Sequence, residues 1–116
     1  MRATWILALL LLSAGASAAR FSGDAVQGAK RAKQCESCHG TDGNGYNATA
    51  PDPSYPKLGG QYATYLKHAL EDYRSGKRVN LVMNAQAKDL SDQDIVNLAA
   101  YFSVQQAKIG DLRDEL

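Results

Sequence analysis

The segment from residue 40 to residue 60 constrains the fold more than any other part of this chain. It contains five glycines and three prolines: Gly40, Gly43, Gly45, Pro51, Pro53, Pro56, Gly59 and Gly60. So many helix and strand breakers forbid a long regular element, and the sequence predicts a long loop here. A loop of about twenty residues in a small domain is usually functional or wrapped around another group.

Helical periodicity is present on both sides of this loop. Val26 and later apolar residues at helical spacing predict a short helix over residues 24–35. Residues 61–75 repeat apolar side chains at three- and four-residue steps, and Gly76 follows as a typical C-terminal stop. The sequence therefore predicts one helix before the loop and one after it.

A third helix is predicted nearer the end of the chain. Ser91 is a typical N-cap, and Asp94 three positions later has the place of the acidic partner in a capping box. Apolar residues then recur at helical spacing to about residue 106. Residues 77–90 are mixed and polar, and a loop is predicted there. Because no alternating run is long enough for a sheet, we predict an all-α fold with three main helices.

The first residues are typical of a secretory signal peptide. Residues 1–19 begin with Met1 and Arg2, continue with an apolar run and end with small residues. The apolar run is about eight to ten residues long, against about 20 needed to span a bilayer, so an uncleaved membrane anchor is the weaker alternative. We therefore expect export to the periplasm, with no membrane span after cleavage.

Size and charge narrow the function further. The 116-residue chain has a formal net charge of +1, and removal of residues 1–19 would leave equal numbers of basic and acidic side chains. A neutral domain is poorly suited to nonspecific nucleic-acid binding, so we expect no nucleic-acid partner. The remaining length is near the lower limit at which an apolar core alone stabilises a fold, which favours a bound group at the centre.

The run Cys35-Glu36-Ser37-Cys38-His39 carries the chemistry. Two cysteines separated by two residues and followed by histidine have the spacing of covalent haem attachment. Both thiols would add to the vinyl groups of the porphyrin, and His39 would bind the iron. These are the only cysteines of the chain, and they are too close together to staple distant segments.

Two alternatives use the same cysteines. A thioredoxin-like redox pair would follow a strand at the start of a helix, whereas Cys35 here ends the predicted helix. A zinc site would need four ligands, and only Cys35, Cys38, His39 and His68 are available, without a second cysteine pair. Both are weaker interpretations of the motif.

The opposite face of the iron has two candidate ligands. Met83 is the only methionine after Met1 and lies in the predicted polar loop, where it has no helical face to serve. A thioether is an established haem ligand, so we predict distal ligation by Met83 over a gap-filling role. His68 is the rival and would form a bis-histidine centre, although a solvated position is its simpler interpretation.

Together these residues resemble a class I cytochrome c, in particular the small monohaem periplasmic carriers of bacteria and single domains of the dihaem periplasmic cytochromes. The resemblance covers nearly all of the predicted mature sequence. It rests on Gly28, Met83 and the segments 35–40, 55–61, 65–66, 74–76, 90–95 and 99–102. It implies a cytochrome c domain over residues 20–106, one covalently bound haem c and a short polar tail over 107–116.

The resemblance also implies residue roles. Cys35 and Cys38 would form the thioethers, and His39 and Met83 would be the axial ligands. The carbonyl of Pro56 would accept the Nδ1 hydrogen of His39, which orients the ring and raises its basicity.

Smaller roles are implied for further residues. Gly28 would let the first and last helices cross closely against Tyr101, because glycine has no Cβ. Tyr46, Asn47 and Gln61 would be polar neighbours of the haem rim.

The implied function is one-electron transfer by Fe(III)/Fe(II) cycling, with no catalytic residue. Redox protein donors and acceptors would dock transiently at the haem edge, and the chain would be a monomer or a subunit of a redox complex. Two clusters could supply basic docking patches or be solvated helix faces: Lys30, Arg31 and Lys33, and Arg74, Lys77 and Arg78. The alternatives are a haem subunit of a larger oxidoreductase and a peroxidase-like or ligand-sensing haem protein.

Overall fold

The structure is a computed structural model that describes residues 22–45, 52 and 54–108. The predicted signal peptide, Tyr46, Asn47 and most of the predicted tail lie outside these residues. The described residues contain helices and no strand, which confirms the predicted all-α class. None of the helices described is long and apolar enough to cross a membrane.

The described residues form five α-helices joined by turns and loops. They are α1 (Ala25–Arg31), α2 (Glu36–His39), α3 (Ala63–Ser75), α4 (Leu81–Ala87) and α5 (Asp92–Ser103), with a 3₁₀ turn over Ala32–Gln34 between α1 and α2. Helices α1 and α3 both pack against α5, and α4 packs against α3. The three main helices are therefore α1, α3 and α5.

Helix α1 crosses α5 at Gly28. The carboxylate of Asp24 caps α1 by accepting the backbone N–H of Val26 at 2.8 Å. Gly28 is the buried residue of this helix, whereas Val26 is 67% exposed. A Cβ at Gly28 would lie 2.7 Å from the Cβ of Tyr101, so the close crossing implied by the resemblance is present. Close approach of two backbones selects a residue without a side chain here.

Helix α3 matches the sequence prediction closely. It ends at Ser75, and the C-cap residue Gly76 has a φ of +80°, the left-handed conformation that suits glycine at a helix C-terminus. Its buried residue Leu66 joins a core whose other members are Ala32, Ala87, Leu90, Ile95, Leu98, Ala99 and Phe102. The core therefore draws on α3, α4 and α5 and on the turn after α1.

Helix α5 begins with the predicted capping box. The Ser91 hydroxyl accepts the backbone N–H of Asp94 at 3.0 Å, and the Asp94 carboxylate accepts the backbone N–H of Ser91 at 3.0 Å. Both bonds satisfy donors that have no partner within the helix. The helix ends at Ser103, three residues before the predicted end.

Replacing Asp94 with alanine should lower the free energy of unfolding at pH 7 by about 1 kcal/mol. The backbone N–H of Ser91 holds the pKa of Asp94 below its ordinary value of 3.8. A carboxylate with a lowered folded-state pKa stabilises the fold above pH 3.8 and loses this effect as the pH falls through the folded-state pKa. Urea unfolding should therefore show a smaller difference from wild type at pH 2.5 than at pH 7. Asp89→Ala, at an exposed position, is the control, and a pH-independent effect of Asp94→Ala would contradict the prediction.

The predicted loop over residues 77–90 is wrong in its middle, where α4 forms. Asn80 caps this helix, and its side chain accepts the backbone N–H groups of Val82 and Met83. The inward positions include Met83 and Asn84, both half-buried, and buried Ala87. Because the inward side includes the polar residue Asn84, the apolar pattern of this helix is interrupted, and hydrophobic periodicity does not predict it.

Candidate haem-binding site

The Cys-x-x-Cys-His motif folds into one helical turn. Cys35 is the N-cap residue of α2, and its carbonyl accepts the backbone N–H of His39 at 2.9 Å. Both cysteines are half-buried. Residues three and four positions apart share a helix face, so Cys35, Cys38 and His39 lie on one side of this turn. Two thiols and an imidazole are thereby placed together by local structure alone.

His39 is buried, with only 6% of its surface exposed, and has a defined tautomer. Its Nδ1 lies 2.8 Å from the carbonyl oxygen of Pro56. Because a carbonyl oxygen can only accept, Nδ1 carries a proton and donates it, so in the neutral ring Nε2 is the nitrogen with the free lone pair. A neutral imidazole with an available Nε2 is a metal ligand, and the hydrogen bond at Nδ1 fixes the ring orientation.

The loop that follows His39 brings Pro56 into position through backbone hydrogen bonds. The N–H of Gly45 donates to the carbonyl of His39 at 2.8 Å, and the N–H of Leu58 donates to the carbonyl of Gly43 at 2.6 Å. Gly43 has a φ of +71°, and a Cβ there would lie 2.6 Å from Cδ1 of Phe102. Glycine is thus required for both conformation and space. The described residues of the predicted loop form no helix beyond residue 40, as expected from their glycines and prolines.

The surroundings of Cys35 differ from those of a redox dithiol. Burial raises the pKa of the Cys35 thiol to about 11, whereas reactive redox cysteines have a lowered pKa. A helical turn and not a strand precedes Cys35. Both observations weigh against the thioredoxin-like interpretation.

His68 lies on α3 with 70% of its side chain exposed. Its Nδ1 lies 3.2 Å from Oε2 of Glu71, one turn along the same helix. In the part of the chain that the structure describes, no group of three or more His, Cys, Asp or Glu side chains could hold a metal ion. The exposed position favours the solvated interpretation of His68 over a role as a zinc or haem ligand.

Met83 is half-buried on α4, a different element from the Cys-x-x-Cys-His turn. The two elements are connected by Gln34, which directly precedes Cys35. Its side-chain amide donates to the backbone carbonyl of Gln86 on α4 at 3.2 Å. The segment that carries the cysteines therefore contacts the helix that carries Met83.

Two further residues lie near these side chains, and neither was assigned a role from the sequence. The ring of Tyr55 lies 6.4 Å from the ring of His39, centroid to centroid. Asn84 follows Met83, and its side chain makes three hydrogen bonds. The tyrosine next to Pro56 was part of the resemblance, but no periodic pattern distinguishes either residue. Gln61, expected near the haem rim, is exposed.

The described residues fit a haem in both donor chemistry and apolar surface. The donors are two thiols and an imidazole nitrogen, which suit thioether formation and iron ligation. The core of the described residues is small, with three alanines among its eight buried apolar residues. Meanwhile Tyr62 and Leu81 are 81% and 89% exposed. A large apolar group bound beside α3 and α4 would cover surface of this kind.

Most of the basic side chains in the two clusters are neutralised by neighbours. Four form ion pairs: Arg31 with Asp94 at 3.5 Å, Lys33 with Glu36 at 3.0 Å, Arg74 with Asp92 at 2.7 Å and Lys77 with Asp72 at 3.5 Å. The guanidinium of Arg78 lies 4.8 Å from the ring centroid of Tyr73. The clusters therefore behave more like solvated helix faces than like strongly positive patches.

Several known proteins are similar to this chain in both sequence and fold. Cytochrome c4 of Pseudomonas aeruginosa is 42% identical over 106 residues, which cover 90% of this chain and 50% of that protein. Cytochrome c-554(548) of Halomonas halodenitrificans is 43% identical over 88 residues, which cover 73% of this chain and 100% of that protein. A crystal structure of reduced recombinant cytochrome c4 from Pseudomonas stutzeri matches with a TM-score of 0.69 and 39% identity, over 77% of this chain and 49% of that one.

The chain spans about half the length of the cytochrome c4 relatives that it matches. The sequence model of the cytochrome c family matches residues 25–105, from the start of α1 to just beyond α5. This match includes the whole Cys-x-x-Cys-His turn, Pro56 and Met83. The chain therefore belongs to the cytochrome c family, whose domain binds a covalently attached haem c.

Proposed function

We propose that this domain is a periplasmic one-electron carrier that works between redox protein partners. The observation that carries the proposal is the turn on which Cys35, Cys38 and His39 share one face, with the His39 proton held on Nδ1. Bound haem supplies an Fe(III)/Fe(II) couple, which holds and releases one electron. The residues of this chain would attach the haem, orient it and shield it from water.

Cys35 and Cys38 are assigned to the two thioether bonds. Covalent bonds do not dissociate when partner proteins exchange, so the domain keeps its redox group through repeated encounters. The helical turn places both cysteines on the same side as His39. Attachment therefore also aligns the proximal ligand.

His39 is assigned to the proximal side of the iron and Pro56 to its support. The hydrogen bond from Nδ1 to the Pro56 carbonyl keeps the ring in one orientation and makes Nε2 a stronger donor. Because His39 is buried, water has little access to this side. A ring held in this way would not turn when the bound haem gains or loses an electron, which would limit reorganisation during electron transfer.

Met83 is assigned to the distal side. A thioether is a soft and weakly basic ligand that favours the ferrous state, so this ligand raises the reduction potential. If His39 and Met83 both held the iron, the domain itself would catalyse no reaction on a small substrate. Donor and acceptor proteins would dock transiently, since redox encounters bury little surface and release quickly.

Optical spectra of the purified, exported protein test the proposal. The reduced protein should show a c-type α-band, and the oxidised protein a weak far-red band from sulfur-to-iron charge transfer. The reduced protein should also resist carbon monoxide, because Met83 occupies the distal site. A colourless protein would overturn the proposal, and ready binding of carbon monoxide would favour a ligand-sensing or peroxidase-like haem protein instead.

Replacing Met83 with alanine should abolish the far-red band and lower the reduction potential by roughly 0.1–0.3 V. This is a substantial part of the range of about 0.8 V over which axial ligands set haem potentials. Spectroelectrochemical titration measures both effects. His68→Ala, which removes the rival ligand, is the matched control and should change neither. The reverse pattern would assign the distal position to His68.

A further inference from the structure

The side chain of Asn84 makes three hydrogen bonds directly beside Met83. Its Nδ2 donates to the backbone carbonyl of Tyr73 at 2.7 Å and to that of Arg78 at 2.9 Å. Its Oδ1 accepts the backbone N–H of Asn80 at 2.8 Å. Both N–H groups of this half-buried amide are therefore used.

These bonds join α4 to the end of α3. Tyr73 lies in the last turn of α3, where its carbonyl also accepts the backbone N–H of the C-cap residue Gly76 at 3.3 Å, and Arg78 lies in the connection to α4. Asn80 is the N-cap of α4, and its Oδ1 accepts the backbone N–H of Met83 at 3.0 Å. A continuous chain of hydrogen bonds thus runs from α3 through Asn84 and Asn80 to the backbone of Met83.

Little apolar burial supplements this hydrogen-bond network. Ala87 is the one buried residue of α4, while Leu81 is 89% and Val82 is 57% exposed. A helix of seven residues is too short to be stable alone, so tertiary contacts must hold it. With so little apolar contact from the helix itself, the network carries much of this task.

We propose that Asn84 is a positioning residue that holds α4 so that Met83 stays at the distal position. The inference rests on the proposed function, because it requires Met83 to be the distal ligand. Asn84 acts through the backbone of α4 and not through the iron. Without the three side-chain bonds of Asn84, α4 would move away from the haem site at a lower free-energy cost. An added ligand would then displace Met83 more easily.

Imidazole binding to the oxidised, haem-loaded protein tests this proposal. Imidazole must displace Met83, so its apparent affinity at constant pH and temperature reports how firmly the thioether is held. Loss of the far-red band measures the displacement. Asn84→Ala should bind imidazole at least about tenfold more tightly than wild type. The net free energy of a single hydrogen bond already corresponds to nearly a tenfold change in affinity, and this variant loses three.

Two further variants separate positioning from a general loss of stability. Asn84→Asp keeps an acceptor for the N–H of Asn80 but lacks both donors, so it should also strengthen imidazole binding and is available if the alanine variant does not fold. Asn97→Ala is the matched control. Asn97 is 7% exposed and accepts the backbone N–H of Asp24 at 2.8 Å, on the α1 side of the fold. Its loss should lower stability without changing imidazole affinity more than about twofold.

The outcomes distinguish this inference from the proposed function. An oxidised wild-type protein without the far-red band would overturn both the assignment of Met83 and the role of Asn84. If wild type has the band but the Asn84 variants bind imidazole no more tightly than Asn97→Ala, only the positioning role is overturned. Tighter binding in both Asn84 variants, with Asn97→Ala unchanged, would support it.

Discussion

Replacing Gly28 with alanine should lower the free energy of unfolding by about 3 kcal/mol or more. A Cβ at this position would lie 2.0 Å from the backbone oxygen of Asn97 and 2.7 Å from the Cβ of Tyr101. Neither atom is the end of a flexible side chain, so α1 and α5 would have to move apart. Overpacking of this kind costs typically 1–3 kcal/mol, and more where backbone must shift. Alanine is otherwise favoured over glycine in helices by about 1 kcal/mol, so the expected sign is opposite to helix propensity.

Guanidinium unfolding of the haem-loaded protein, followed by circular dichroism, measures this effect. Gly76→Ala is a matched control because no atom lies within 4 Å of the new Cβ. It tests only the φ of +80° and should cost about 1–2 kcal/mol. A Gly28→Ala protein as stable as wild type would show that the two helices do not cross in the way described.

Replacing both Cys35 and Cys38 with serine should eliminate covalently bound haem. Thioether formation needs the sulfur nucleophile, and a serine hydroxyl is not a comparable nucleophile at neutral pH. Because the core of the described residues is small, the variant should also lose much of its helical content when haem is absent. Intact-protein mass spectrometry under denaturing conditions measures attachment, and circular dichroism measures the folding.

Single variants provide the internal comparison. Cys35→Ser and Cys38→Ser should each retain one thioether, whereas Ser37→Ala, between the two cysteines, should retain both. Covalent haem in the double variant would place the attachment elsewhere. A wild-type protein in which both thiols react with an alkylating reagent would contradict the assignment just as directly.

Local signals in the sequence were sufficient for the elements that local interactions stabilise. Gly76 ends α3 because a left-handed C-cap favours glycine, and the reciprocal bonds of Ser91 and Asp94 involve residues only three positions apart. The Cys-x-x-Cys-His spacing places its chemical groups within one helical turn. Each of these features depends on neighbours in sequence, so a single sequence can reveal it.

Helix α4 was missed because its local signal, the Asn80 N-cap, was not used and the rest of its stability is not local. Its inward side includes Asn84, whose partners Tyr73 and Arg78 belong to α3 and the following connection. The residues of α4 therefore look like a polar loop when read alone. The tertiary hydrogen bonds that make this helix possible have no counterpart in hydrophobic periodicity.

The sequence by itself determined the all-α class, the attachment motif and the two strongest helices, since short-range spacing and capping specify all of them. The contact between Pro56 and His39 came from a family resemblance and not from any local pattern. The same resemblance implied the tight crossing at Gly28, whereas only the tertiary structure decided the helical state of Met83 and the exposure of His68. Each of these features depends on contacts between separate elements. Those contacts form only when segments that are distant in the sequence pack together.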